Sequence, residues 1–331
     1  KRYQVQPVWR ADRPQKGRYR EFTQCDADIV GSGSLVNEIE LAGMYHEVFT
    51  RLNIKGYSLH INDRRILAGL AKVCKLPGQM SLLAVAIDKL DKTSLAEVLT
   101  ELQNNGLGEN QISLVEKFLT INGSNTEILT QWKIFFGDEP GALAGIQSLE
   151  TILSKTQKCN IQLDGTLARG LDYYTGTIFE VKAPAEVKIG SIGGGGRYDN
   201  LTGLFGVTGI AGVGISFGVD RIYDVLLELN AFPDEIADNI SVLLMNLGFE
   251  AALQSLPILS ILRYEKISCD IYPDPVKMDK QVKYAVKKNY SHVIIRGSRE
   301  IESSTCTIKN LLTSTQEVIK MENLKSYFRI N

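Results

Sequence analysis

The chain has 331 residues, 44% hydrophobic and 23% charged, and 37 Lys and Arg against 38 Asp and Glu give a formal net charge of −1. That is an ordinary soluble, globular composition, long enough for two or three domains; it excludes a uniformly basic nucleic-acid binder but not a local basic patch. Five scattered cysteines without a Cys-x-x-Cys and only three histidines argue against disulfides and zinc and for a reducing, cytoplasmic setting, while no apolar run suits a membrane span and KRYQVQPVWR lacks the apolar core of a signal peptide.

Residues 3–10 alternate as a strand, with Gln4, Gln6, Val8 and Arg10 on one face. Pro14 and Gly17 mark a loop, and a returning strand spans roughly residues 20–30. On it Arg20, Phe22, Gln24, Asp26 and Asp28 share one strongly polar face. Residues 1–20 hold seven Lys or Arg and one acid, Asp12, a surplus that suits either a polyphosphate or a merely solvated loop. An amphipathic helix is expected over 34–53, a strand over 57–62 with a structural His60, and a helix over 63–75. Residues 93–158 read as mostly helical, punctuated by Gly106, Gly108, Gly123, Gly137 and Pro140. Nothing in them carries chemistry, so they read as a supporting insertion.

The stretch 164–176, DGTLARGLDYYTG, concentrates an arginine, two tyrosines, two acids and three glycines. A guanidinium fixed in a tight loop, Arg169, clamps a carboxylate or phosphate, or else the stretch is a structural turn. Tyr173 and Tyr174 would face opposite sides if the segment were extended. Strands are expected at 159–164 and 177–183. The run Gly193 to Gly196 is costly inside a packed strand, so it marks either a close approach by a ligand or another backbone, or a hairpin tip. It matches neither G-x-G-x-x-G nor a Walker loop. In GIAGVGISFGVDRIYDVLLEL, residues 209–229, Arg221 falls in the first turn of a helix, where the macrodipole opposes it. A bound anion would explain the placement.

After NAFPDEIADN the pattern changes to alternating strand and helix, which predicts a small α/β domain with a substantially parallel sheet. Residues 240–331 hold 13 Lys or Arg against 9 Asp or Glu. Lys277, Lys280, Lys283 and Lys287 share a helix face opposite Met278, Val282 and Ala285, which fits nucleic-acid contact or simple solvation.

Together these stretches resemble the class II aminoacyl-tRNA synthetases, and within them the histidyl-tRNA synthetase family. PVWRADRPQKGRYREFTQCDADIVG is similar to motif 2, LARGLDYYTG and GGGGRYDNL to the two histidine-specific signatures, and GVGISFGVDRI to motif 3. The resemblance implies an α+β fold: a class II antiparallel sheet with helices over 1–230, carrying a helical insertion at about 88–158. A linker at 231–239 and a small α/β anticodon-binding domain over 240–331 follow. It implies that histidine and ATP, with Mg2+ on the phosphates, give histidyl-adenylate, and that the acyl group passes to tRNA(His). Arg169, Gln24 and Arg10 would be catalytic. Arg10, Asp12, Arg18, Arg221 and Gly218 would bind ATP. Gln24, Asp28, Arg169, Tyr173, Tyr174, Gly194 and Gly195 would bind histidine, and Lys277, Lys280, Lys283 and Lys287 would meet tRNA. No residue is assigned to the metal.

The family's motif 1, which carries the dimer helix, lies upstream of motif 2, and this chain starts at the motif 2 strand. The expectation is a homodimer for a longer parent, with little exchange activity and no such dimer from residues 1–331 alone. The rival is a catalytically silent paralogue, such as the regulatory subunit of ATP phosphoribosyltransferase. It predicts lost signatures and no anticodon domain.

Overall fold

The alternation at the start forms β1 (Arg2–Trp9), paired antiparallel with β2 (Glu21–Val30) so that Gln6 faces Gln24 and Gln4 faces Asp26. The computed structural model describes residues 1–11, 13–76, 78–91, 93–168, 173–232 and 241–328. It divides into two units, Lys1–Ala231 and Phe232–Asn331. The sequence-derived linker, 231–239, lies outside the described residues from 233 onward. Among the described residues no helix is long and apolar enough to cross a membrane.

In the first unit β2 is followed by α1 (Val36–Arg51), β3 (Ser58–Asp63) and α2 (Arg64–Val73). Then come α3 (Met80–Asp88), α4 (Leu95–Asn104), α5 (Glu109–Leu119), α6 (Asn125–Phe136) and α7 (Pro140–Lys155). Sequence cues fix several starts. Ser94 with Glu97 and Ser124 with Glu127 form reciprocal caps, and Pro140 opens α7. Helix α3 begins ahead of the expected block. Its run MSLLAVAI is apolar on every side, Val85 being exposed, so no periodic polar face announces it.

The chain returns through β4 (Ile161–Leu163), β5 (Thr177–Lys182), β6 (Gly193–Arg197), β7 (Gly212–Gly218) and α8 (Val219–Glu228). The seven strands order as β1-β2-β7-β6-β5-β3-β4. Every neighbouring pair is antiparallel except β3 with β4.

The glycine run therefore forms an interior strand and not a hairpin tip. A Cβ on Gly195 would stand 2.1 Å from the Gly214 carbonyl oxygen, so β6 tolerates no side chain there. Helix α1 is tied to the end of β6 by a buried bidentate pair, Glu38 with Arg197, at 2.5 and 2.7 Å. Asp199 takes a third bond from the same guanidinium at 2.9 Å. Burial works against the Arg197 charge, but Glu38 and Asp199 outweigh it and hold the guanidinium protonated.

The helical block has a structural task. Phe118 of α5 and Trp132 of α6 stack at 6.0 Å, and both press on Gly165, where a Cβ would lie 3.2 Å from each ring. The Asn125 side chain exchanges bonds with the backbone of β4, donating to the Ile161 oxygen and accepting from the Leu163 N–H. Helices α5 and α6 thus brace the entry to the stretch that begins at Asp164.

The second unit holds β8 (Ser241–Leu244), α9 (Phe249–Tyr264), β9 (Ser268–Ile271), α10 (Met278–Lys287), β10 (His292–Ile295), β11 (Thr305–Asn310) and β12 (Gln316–Lys320). Its order is β12-β11-β10-β8-β9. Strands β10, β8 and β9 are parallel, whereas β11 and β12 join antiparallel, so the sheet is less parallel than the alternation suggested. Val242 and Leu244 pack on α9, while Leu243 and Met245 face Ala285 of α10. Met278 is exposed and does not belong to the buried face of α10. Gln281 does: its amide brackets the Asn246 backbone at 2.8 and 2.7 Å and donates to the Val276 oxygen.

Candidate active site

The polar face of β2 opens into a cavity of about 870 Å³ in the first unit, within the range of small-molecule sites. Phe22, Gln24, Asp26 and Asp28 project into it because they alternate on one side of the strand. Arg10, Arg18, Tyr173, Tyr174, Gly194, Gly195, Gly218 and Arg221 line the same space, so residues separated by up to 211 positions converge there. Arg169 and Asp12, the other residues singled out for this site, lie outside the described residues.

The basic loop is held in shape by α8. Gln15 and Arg18 exchange backbone hydrogen bonds across a turn at Gly17. Asp220 accepts from the Thr23 N–H at 2.6 Å, Asp224 from the Tyr19 hydroxyl at 2.6 Å, and Glu228 pairs with Lys16. These acids recur every fourth residue, so they share one helix face. Sequence reading passed over that signal, which was visible in VDRIYDVLLE. Arg221 donates to the carbonyls of Gly17 and Ser191. A local structural benefit, which sequence alone did not supply, is therefore present: Arg221 fastens two loops at the cavity edge. The Arg10 guanidinium sits over the Phe22 ring at 5.1 Å, which restrains it at the cavity wall.

The opposite end of β2 carries a different chemistry. The Tyr198 hydroxyl donates to Asp28 Oδ1 at 2.6 Å. Burial, then that bond and the Asp28 charge, push the Tyr198 phenol far above its ordinary range, so it stays a donor at any working pH. Two glycines of β7 make this possible. A Cβ on Gly214 would overlap the Asp28 carboxylate at 2.0 Å, and one on Gly212 would strike the Tyr198 ring at 2.3 Å. Tyr198 was quoted within GGGGRYDNL but given no role. Its contact with Asp28 links residues 170 positions apart, and no local pattern encodes it.

Tyr173 and Tyr174 do not face opposite sides. The chain turns at Tyr173, and both rings line the cavity, meeting edge to face at 4.9 Å. Burial raises both phenols, Tyr174 the more strongly, and the nearby Asp28 charge adds to it. Gln24 donates from Nε2 to Ser216 Oγ at 2.6 Å, and the Ser216 carbonyl accepts from the buried Tyr45 hydroxyl at 3.1 Å. That fixes the Gln24 amide and leaves Oε1 as the acceptor it can offer.

The stretch from Asp164 is anchored from below. His60 joins Asp164 at 2.9 Å and Ser58 at 3.0 Å. Burial alone would raise the Asp164 carboxyl, but the bonds from His60 and Thr166 and the Lys182 charge hold it well below the usual carboxylate range. Asn62 donates to the Leu167 oxygen and Arg64 to the Ala168 oxygen. The lysines Lys277, Lys280, Lys283 and Lys287 belong to the second unit, where all four are exposed, Lys277 at the N-cap of α10 and the other three on the helix. Among the described residues no three His, Cys, Asp or Glu are grouped to cage a metal ion.

The cavity thus offers cations at one end, a carboxylate–phenol pair at the other and an amide between them. Residues 3–222 match the family model "Histidyl-tRNA synthetase", and residues 241–331 match "Anticodon binding domain". The chain is 48% identical over 328 residues to a histidine–tRNA ligase of Bacteroides fragilis, covering 98% of this chain and 72% of that protein. It is 47% identical over the same length and shares to one of Phocaeicola vulgatus. The crystal structure of histidyl-tRNA synthetase from Nostoc sp. PCC 7120 superposes with a TM-score of 0.81 at 27% identity, covering 99% of this chain and 77% of that one. With a catalytic domain, an anticodon-binding domain and relatives at this identity, the chain belongs to the histidyl-tRNA synthetase family.

Proposed function

We infer that the chain works as a histidine–tRNA ligase, an α+β class II synthetase that activates histidine with ATP and passes the acyl group to tRNA(His). The observation that carries this reading is the shared cavity: Arg10, Arg18 and Arg221 stand on one wall and the Asp28–Tyr198 pair on another. Phosphates and an imidazole are the two ends such a site would recognise.

In the first step a carboxylate oxygen of histidine attacks the α-phosphorus of ATP, and the bond to the leaving pyrophosphate breaks. Negative charge grows on the non-bridging oxygens. Arg10, restrained over Phe22, meets that charge without reorganising, and Arg169 is assigned the same duty. Arg18 and Arg221 take the outer phosphates, with Gly218 giving the nucleotide close access, and Asp12 belongs to the same loop. Asp28 accepts an imidazole N–H. Tyr174 and Tyr173 wall the ring, and Gly194 and Gly195 leave the volume for it. In the second step a hydroxyl of the terminal ribose attacks the acyl carbonyl and AMP leaves.

A hydrated Mg2+ riding on the triphosphate makes no demand for a protein-built cage, since such an ion keeps its waters and needs one or two carboxylates at most. It would neutralise phosphate charge. The proposal extends to a homodimer, a cytoplasmic site of action and tRNA contact through Lys277, Lys280, Lys283 and Lys287. Domains follow as 1–230 catalytic and 240–331 anticodon-binding, a division in keeping with the two units.

Histidine-dependent ATP–pyrophosphate exchange tests the reading, with each other amino acid as a control. Arg10→Ala should slow exchange by about 10²–10³ with little change in histidine affinity. Histidine binding without any exchange, in this chain and in a longer one that adds the motif 1 segment, would favour the catalytically silent, regulatory reading.

A further inference from the structure

Arg64 is the first residue of α2 and is 7% exposed. A buried cation at that position gains nothing from the helix, because the macrodipole opposes it. Its neighbour Arg65 does the local work. The Arg65 fork grips both Asp63 oxygens at 2.8 and 2.7 Å and reaches Ser148 of α7 at 2.8 Å. Arg64 is directed instead to the stretch that begins at Asp164. Its Nη1 donates to the Ala168 oxygen at 3.3 Å, and its backbone N–H donates to the Gly176 oxygen at 2.9 Å. The first N–H groups of a helix have no partner inside it, so the Gly176 carbonyl also caps α2.

One residue thus holds Ala168 and Gly176 together, and those two points bracket Tyr173 and Tyr174, whose rings line the cavity. Each end has a further support. Asn62 donates to the Leu167 oxygen at 3.0 Å, and the Thr175 N–H donates to the Arg197 oxygen at 2.8 Å. Of these supports Arg64 is the one that touches both ends. Closing a segment at both ends fixes its span and reduces the conformations its middle can adopt. We propose that Arg64 is a positioning residue: it clasps Ala168 to Gly176 and so holds the two tyrosines at the cavity wall. Arg64 does not itself line the cavity, so it acts through the backbone of the stretch. Its effect on a ligand rests on the reading of the cavity as the histidine site.

Nitration by tetranitromethane, which attacks accessible phenols, reads the clasp directly on the full chain, with each site assigned by peptide mass spectrometry. Burial raises the Tyr173 and Tyr174 phenols above their ordinary range and makes them slow to react. Arg64→Met keeps the apolar stem and removes the fork. It should raise nitration of Tyr173 and Tyr174 about tenfold and weaken histidine by roughly the same factor in calorimetry, the loss expected for one charged hydrogen bond. Tyr45, fully buried with its hydroxyl on the Ser216 carbonyl, should stay unreactive. Arg65→Met should lower the melting temperature yet leave both tyrosines protected, which separates positioning from general stability. Arg64→Gln, shorter and uncharged, carries the same comparison where the Met variant fails to fold. Unchanged nitration in a folded Arg64 variant, or an equal rise in Arg65→Met or at Tyr45, would overturn the assignment. A wild-type chain that binds no histidine would overturn the functional reading and leave the nitration result to judge the clasp alone.

Discussion

The two units hold their candidate recognition groups by opposite means. In the first, Asp28, Gln24 and Arg221 are half-buried and Arg10 is exposed, and each is held by a neighbour: Asp28 by Tyr198, Gln24 by Ser216, Arg10 by Phe22, Arg221 by two carbonyls. In the second, the candidate contacts are four exposed lysines on α10 and at its N-cap, while the fixed parts of that helix, Gln281 and Ala285, lie beneath. A pre-positioned group loses much when changed, because its partners are stranded as well. An exposed lysine loses only its own share of a screened field. The first unit should therefore fail residue by residue and the second only gradually.

The largest effect tests the frame of the first unit. Glu38→Gln leaves the Arg197 guanidinium, buried at 8% exposure, with only the more exposed Asp199 as a counter-charge. Stability should fall by about 3–5 kcal/mol, measured by denaturant unfolding. A loss under about 1 kcal/mol would show that the pair behaves like a surface ion pair.

Next comes the imidazole end. Asp28→Asn should weaken histidine by about 10- to 100-fold and relax discrimination against other amino acids, because the amide can present a donor where an acceptor is needed. Unchanged selectivity in the exchange assay would remove Asp28 from recognition.

A smaller effect should depend on pH. The Asp164 carboxyl is depressed in the folded protein, so its stabilisation is complete above the unfolded value of about 3.9 and is lost as pH falls through the folded value. Asp164→Asn should therefore cost about 1–2 kcal/mol at neutral pH. The gap to wild type should close as melts are taken from about pH 5 into strong acid. A gap constant across that window would mean that packing, not charge, holds the stretch.

The smallest effect belongs to the second unit. Lys280→Ala with Lys283→Ala should lower the slope of log affinity for tRNA against log salt by roughly one to two, with only a modest change in affinity at physiological salt. A collapse of binding from this pair would place a fixed, buried contact on α10 and erase the contrast between the units.

Much of this could be read from residue order, for reasons that differ by element. The period of two along β2 put Gln24, Asp26 and Asp28 on one face, and the register confirms that face as the cavity wall. Family motifs brought Arg10, Arg18, Tyr174 and Arg221 to one place in advance of any coordinates. Arg64 received no role, because its significance lies in where its bonds end, on Ala168 and Gly176, which only packing reveals. The glycine run was legible as a close approach of another backbone but not as an interior strand, for a related reason. A strand without side chains has no periodicity, and its position is dictated by β5 and β7 on either side. Tyr198 and Asp28 meet through three strands adjacent in space and distant in sequence. The only local trace of that meeting is the pair of glycines, Gly212 and Gly214, that clears room for it.

The glycine strand also bears on how the specificity could be rewritten. β6 gives the cavity a bed of peptide groups, so it shapes the space without choosing what fills it. On the proposed function choice falls to the margins, to Asp28 on β2, two strands away, and to Tyr198 just past the end of β6 itself. A programme to retarget the enzyme to another amino acid would gain nothing from decorating the bed, where a methyl group at Gly195 already collides with the next strand. It would exchange Asp28 and Tyr198 as a matched pair and keep Gly212 and Gly214 as the clearance in which any new pair must fit.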